Sequence, residues 1–118
     1  MWPFLLFKNG ESEMKNKDFQ IVYRKGKSYA NKYLVMYLLE NGTCENRLGI
    51  SVSKKVGNSV VRHRITRLVR ESYRLQESKF LNGYDIVVIA RTSAKEKTYH
   101  EIESALVHLG KLHNIIDL

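Results

Sequence analysis

Between Ser59 and Leu75 the residues Val61, Ile65, Leu68, Val69, Ser72 and Leu75 gather on one side of a helix drawn at about 100° per residue. That is the spacing expected of a helix packed on a sheet. The opposite side gathers His63, Arg67, Arg70 and Arg74, with Arg62 and Arg64 on the flanks. Just upstream, Gly57-Asn58 is a chain-turning pair, and Asn58 or Ser59 can accept the N–H bonds that open the helix. The segment is therefore apolar below and cationic above, and the rest of the chain has to supply the layer that receives it.

The charge is focused. Ser51 to Arg74 holds Lys54, Lys55, Arg62, Arg64, Arg67, Arg70 and Arg74 against the single acid Glu71, and so supplies +6 of the formal +8 carried by 118 residues. An ordinary solvated face interleaves signs to form i,i+4 pairs, whereas this one repeats arginine almost without carboxylate. Arginine is also used to the exclusion of lysine inside the helix, which favours forked phosphate contacts over simple solubility. The expected partner is a polyanion.

Around this segment the pattern alternates between elements. Asn16 can cap a short helix with Phe19, Val22 and Tyr23 on one side, ended by Gly26. Tyr33–Leu39 reads as a strand with Leu34, Met36 and Leu38 on one face and Tyr33, Val35, Tyr37 and Leu39 on the other. After a turn at Asn41-Gly42, a second strand places Leu48, Ile50 and Val52 on the core side, with Gly49, Ser51 and Ser53 opposite. Tyr84–Arg91, with its continuous Ile86-Val87-Val88-Ile89, suits a central strand buried on both faces. A last helix is announced by the capping-box residues Thr98 and Glu101, with an apolar stripe of Ile102, Ala105, Leu106, Leu109 and Leu112. His100, His108 and His113 have no ligand-like neighbours and are expected at the surface. The expectation is one α+β domain over residues 1–118, with residues 1–13 as an atypical N-terminal extension. It is a two-layer sandwich in the order αβββαβα, with helices on a small mixed sheet of about four strands.

The single cysteine, Cys44, cannot form an internal disulfide and fits a reducing, cytoplasmic setting. No apolar run reaches the length of a membrane span, and the apolar start Met1–Phe7 is short and without preceding basic residues, so neither a membrane partner nor a secretory signal is expected. There is no helix-turn-helix pattern, hence no DNA partner. Paired carboxylates for two metal ions, a nucleophile with its base, and a phosphate-binding glycine loop are all lacking as motifs.

Lys54-Lys55-Val56-Gly57-Asn58, followed by Arg62-His63-Arg64 and then Arg67, Arg70 and Arg74, resembles the signature of the bacterial ribonuclease P protein family. The resemblance runs over about residues 15–112, through Asp18-Phe19, Tyr23, Gly26, Ala30-Asn31, Arg47–Ser53 and Asp85–Arg91. His63 stands where Asn is usual and Thr66 where a basic residue is usual. The resemblance implies a protein cofactor of an RNA-based endoribonuclease that frees the mature 5′ end of tRNA, with no catalytic side chain of its own. Its cofactors would be the catalytic RNA subunit and magnesium held mainly by that RNA; its partners, ribonuclease P RNA and precursor tRNA. Carried over by position, Lys54, Lys55, Asn58, Arg64, Arg67, Arg70 and Arg74 would meet the RNA subunit. Phe19, Tyr23, Val35, Tyr37, Ser51, Arg62 and His63 would meet the single-stranded 5′ leader, where aromatics beside cations suit stacking. General rules would make the strand–basic helix–strand crossover right-handed; the resemblance implies the rarer left-handed form, which is the expectation adopted. A general or ribosomal RNA-binding module shares the basic helix, and a stand-alone nuclease would reveal itself by cleaving without an RNA cofactor.

Overall fold

The computed structural model describes residues 14–116 and, of the chain before them, the backbone of Pro3–Leu5, Phe7–Lys8 and Ser12–Glu13. In chain order the elements are strands β1 (Pro3–Leu5), β2 (Phe7–Lys8) and β3 (Ser12–Glu13), helix α1 (Asn16–Lys25), strands β4 (Lys27–Ala30), β5 (Leu34–Glu40) and β6 (Arg47–Ser51), helix α2 (Ser59–Gln76), strand β7 (Tyr84–Ala90) and helix α3 (Tyr99–Leu112). From α1 onward this is the expected αβββαβα order. Four strands form the mixed core of the sheet, and β1 adds a fifth at its edge, giving β1-β6-β7-β5-β4, while β2 and β3 pair separately. β6 and β7 are parallel and joined through α2, whereas β7 with β5 and β5 with β4 are antiparallel. The extension at residues 1–13, about which the sequence is silent, thus contributes backbone pairing along β6.

Each side of the sheet has its own core. Leu34, Met36, Leu48, Ile50, Ile86 and Val88 meet Ile65, Val69, Ile102, Leu106 and Leu109 from α2 and α3. On the other side Val87, with Tyr37, Leu39 and Ile89 around it, meets Phe19 and Val22 from α1 and Met14 just before it. Alternation along β5, β6 and β7 therefore assigns sides as the sequence predicts, with β7 buried on both.

Four expectations change in detail. Lys15, not Asn16, is the N-cap of α1, and its N–H donates to the Asp18 carboxylate at 2.8 Å. Tyr33 precedes β5 and packs on the α2/α3 side, where its hydroxyl donates to Glu101 at 3.3 Å. The apolar stripes drift at the helix ends: Leu75 is 52% and Leu112 38% exposed. On α2 the buried side is rotated toward Thr66 and Tyr73, because the chain after the helix folds back and Phe80 packs on the Tyr73 ring at 5.1 Å. His113 is half-buried, with Nε2 2.9 Å from the Met36 carbonyl and its ring edge-on to Tyr29; burial lowers its pKa.

The expected starts of α2 and α3 hold. Asn58 accepts from Val61 N–H at 3.0 Å, and Thr98 and Glu101 close a reciprocal capping box.

Tyr73 gives a pH-dependent test of this core. Its hydroxyl lies 3.2 Å from Asn46 Nδ2, and burial pushes the phenol up to about 12 from 10.0, the Asn46 hydrogen bond opposing the shift. The fold accommodates the neutral phenol, so this stabilisation is complete below pH 10 and is lost as pH rises toward 12. Urea unfolding at pH 9 and at pH 11.5 should show a loss on the order of 2 kcal/mol. In Tyr73→Phe that loss should be clearly smaller; an unchanged loss would exclude Tyr73 as its source.

Candidate RNA interface

The register of the sheet lays out the α1 side in rows. Gly49, Val87 and Tyr37 stand side by side, and the next row is Ser51, Ile89 and Val35. Phe19 lies over the first row; a side chain at Gly49 would overlap its ring and crowd Met14, so the strand needs glycine there for α1 to sit this close. The second row is less covered, with Val35 and Ile89 only partly buried. Tyr23 of α1 overhangs it, meeting Tyr37 edge-on at 5.1 Å and Phe19 at 6.2 Å between ring centroids.

This arrangement divides the seven residues expected at the leader. Tyr23, Val35, Tyr37 and Arg62 keep partial exposure, and His63 is exposed. Phe19 is 1% and Ser51 0% exposed, so both belong to the floor rather than to a surface that a base could stack on. The Ser51 hydroxyl has no partner of good hydrogen-bond geometry and lies against Tyr23, where it opposes the upward shift that burial imposes on the Tyr23 phenol. Ile89, between Val35 and Ser51 in the same row, is a groove residue that sequence reasoning missed. The alternation of β7 holds the signal, but an unbroken apolar run hides which of its members is left uncovered.

The basic helix lies on the other side of the sheet. His63, Arg64, Arg67, Arg70 and Arg74 are exposed along α2, and Lys54, Lys55 and Asn58 are exposed in the turn leading into it. Two of these arginines already have protein partners. Arg64 donates to the Lys97 carbonyl at 2.8 Å, and Arg74 clasps Glu71 with Nε and Nη2. Hydrogen bonding to Arg74 lowers the Glu71 pKa. Thr66, at the position where a basic residue is usual, is buried and donates to the Arg62 carbonyl at 2.9 Å, so it is not part of the cationic face. Among the described residues no three His, Cys, Asp or Glu side chains converge on a metal-sized site. Asp18 and Asp85, which the fold brings together, are both turned to Arg47 and do not fit a magnesium site.

The family model described as Ribonuclease P matches residues 7–113. The chain belongs to the ribonuclease P protein family. It is 63% identical over 106 residues to the ribonuclease P protein component of Lachnoclostridium phytofermentans, covering 90% of this chain and 91% of the relative. To the corresponding component of Alkaliphilus metalliredigens it is 60% identical over 102 residues, covering 86% of this chain and 92% of the relative. The Staphylococcus aureus RNase P protein structure superposes with a TM-score of 0.81 at 44% identity, over 88% of this chain and 95% of that one. The Thermotoga maritima RNase P protein gives 0.75 at 33% identity, over 80% of this chain and 91% of that one. The expected α+β fold is thus that of ribonuclease P proteins, and the role is that of a protein component in an RNA-containing, tRNA-processing ribonuclease. Among the described residues no helix is long and apolar enough to cross a membrane.

Proposed function

We propose that this protein uses its two sides for two RNAs in ribonuclease P. Lys54, Lys55, Asn58 and the arginines of α2 anchor the catalytic RNA subunit, and the groove of Tyr23, Val35, Tyr37 and Ile89 receives the single-stranded 5′ leader of precursor tRNA. The observation that supports this reading is the placement of two unlike surfaces on opposite sides of one sheet. An arginine face suited to phosphates is backed by α2 and α3, and an aromatic and aliphatic groove lies under α1. Arg62 and His63 open α2, where the chain arrives from β6 of the groove. Bond breaking belongs to the RNA subunit with its magnesium. The protein lowers phosphate repulsion within that RNA and lends affinity for the leader, stacking contributing on the order of 1–3 kcal/mol per base.

The test is a precursor-tRNA cleavage assay at low magnesium with protein alone, bacterial ribonuclease P RNA alone, and both. Cleavage at the mature 5′ end in the mixture, much faster than with RNA alone, is the expected result. Cleavage by protein alone would reveal a protein nuclease, and no stimulation would leave a general RNA-binding domain. Within the same assay Tyr37→Ala should weaken binding of precursor tRNA by about 5- to 100-fold while leaving leaderless tRNA unaffected. Equal weakening of both would remove the leader from this groove.

A further inference from the structure

A second cationic surface begins where α2 ends its reach. Arg64 donates to the Lys97 carbonyl at 2.8 Å, and the Lys97 ammonium lies over the Tyr33 ring, 5.4 Å from its centroid. The Lys32 ammonium lies over the same ring at 5.7 Å. Both are within cation–π range, so one tyrosine holds two lysines in place. Beside the ring is a groove of about 410 Å³ between the β4–β5 turn and α3, lined among others by Asn31, Lys32, Tyr33, His100, Glu101 and His108.

The turn that carries Lys32 is braced rather than loose. The Asn31 amide donates to the Ala105 carbonyl at 2.9 Å, and its oxygen accepts from the Tyr33 and Leu34 N–H groups at 3.2 and 3.1 Å. Arg91 donates to the Asn31 carbonyl at 2.7 Å, and Ser93 donates to the Lys32 carbonyl. Glu101 accepts from the Thr98 cap and the Tyr33 hydroxyl; these hydrogen bonds, with the nearby Lys97 charge, keep its pKa low, so one carboxylate at the groove rim stands against the two lysines. The result is a pair of ammonium groups pre-positioned at the edge of a groove and linked through Arg64 to the arginine face. Such an arrangement fits a phosphate chain better than a lone anion, because the charges continue along a line of contacts instead of converging on a point.

We propose that Lys32, Tyr33 and Lys97 form a second contact for the RNA subunit, gripping backbone phosphates of a strand that runs off α2, with one nucleoside of that strand seated in the adjoining groove. This rests on α2 being the RNA-binding face, and the experiment separates the two. Binding of ribonuclease P RNA is measured across a salt series for the wild-type protein, for a Lys32→Ala/Lys97→Ala variant, and for an Arg67→Ala/Arg70→Ala variant. Thermal melts check that each is folded.

The lysine variant should bind about tenfold more weakly with a salt slope shallower by about 1.4–1.8, and its discrimination between precursor and leaderless tRNA should be unchanged. Ultraviolet cross-linking of the wild-type complex should attach RNA to the peptide containing Tyr33. If the arginine variant loses affinity while the lysine variant matches wild type in both affinity and slope, the second contact is wrong and α2 stands. If neither variant differs from wild type, both readings fail. Saturable binding of adenosine monophosphate in the groove, with no change in RNA affinity on mutation, would assign the groove to free nucleotides and overturn the proposal.

Discussion

Asp85→Ala should destabilise the fold by about 3 kcal/mol, the low end of the range for breaking a buried ion pair by removing one partner. Asp85 is 5% exposed and receives Arg47 Nε at 2.8 Å and Nη2 at 2.6 Å, the forked geometry of a strong pair. Its Oδ1 also accepts from Asn41 at 3.1 Å, and Arg47 Nη1 reaches Asp18 of α1 at 3.6 Å. One carboxylate thus ties β6, β7, the loop after β5 and the start of α1 together. Its loss leaves Arg47 with only the longer Asp18 contact. The low end applies because the Arg47 side chain is 30% exposed and water recovers part of its solvation. Against a total stability of about 5–15 kcal/mol this is a large fraction. Urea unfolding followed by circular dichroism measures it, and a change below about 1 kcal/mol would show the clasp to be ornamental. The α2 arginines lie on the opposite side, so folded Asp85→Ala protein should retain affinity for the RNA subunit. A rise in RNA affinity of the folded variant would instead make the freed Arg47 an RNA ligand.

That clasp also shows where sequence reasoning stops. Asp85 and Arg47 are 38 residues apart and neither has a local partner that announces the pairing. What the sequence exposes is local chemistry: the Asn58 cap, the Thr98 and Glu101 capping box, and the alternation that sorts Leu34 and Met36 from Val35 and Tyr37. These are set within a few residues and survive folding unchanged. What it hides depends on register between strands. Ile89 becomes a groove residue because β7 places it between Ser51 and Val35. Phe19 becomes floor because Gly49 lets α1 descend onto the sheet. The drift of Leu75 and Leu112 out of their stripes has the same origin, since a helix face is buried only as far as the layer beneath it extends. The basic surface is the more legible half of the candidate site, because charge is read directly from residue type, whereas a groove is defined by what fails to cover it.

The largest functional effect is expected from Arg67→Ala/Arg70→Ala. Both side chains are exposed on α2, on the face away from the sheet. If each neutralises one phosphate of the RNA subunit, their loss makes the slope of log affinity against log salt shallower by about 1.4–1.8, from about 0.7–0.9 per contact. Two lost charge-assisted contacts of about 1.5 kcal/mol each should together weaken binding on the order of 100-fold near physiological salt. Stability should hardly change, because removing two like charges relieves repulsion along the helix. Arg74→Ala supplies the internal comparison. Its guanidinium is engaged by Glu71, so a phosphate has to displace a carboxylate to reach it, and the expected loss is smaller than for Arg67→Ala. In Glu71→Ala that competition is absent, and RNA affinity should rise severalfold through the freed Arg74. If Glu71→Ala leaves affinity unchanged while Arg74→Ala lowers it as much as Arg67→Ala does, the clasp opens without cost on binding, and Arg74 is a full member of the phosphate-gripping face.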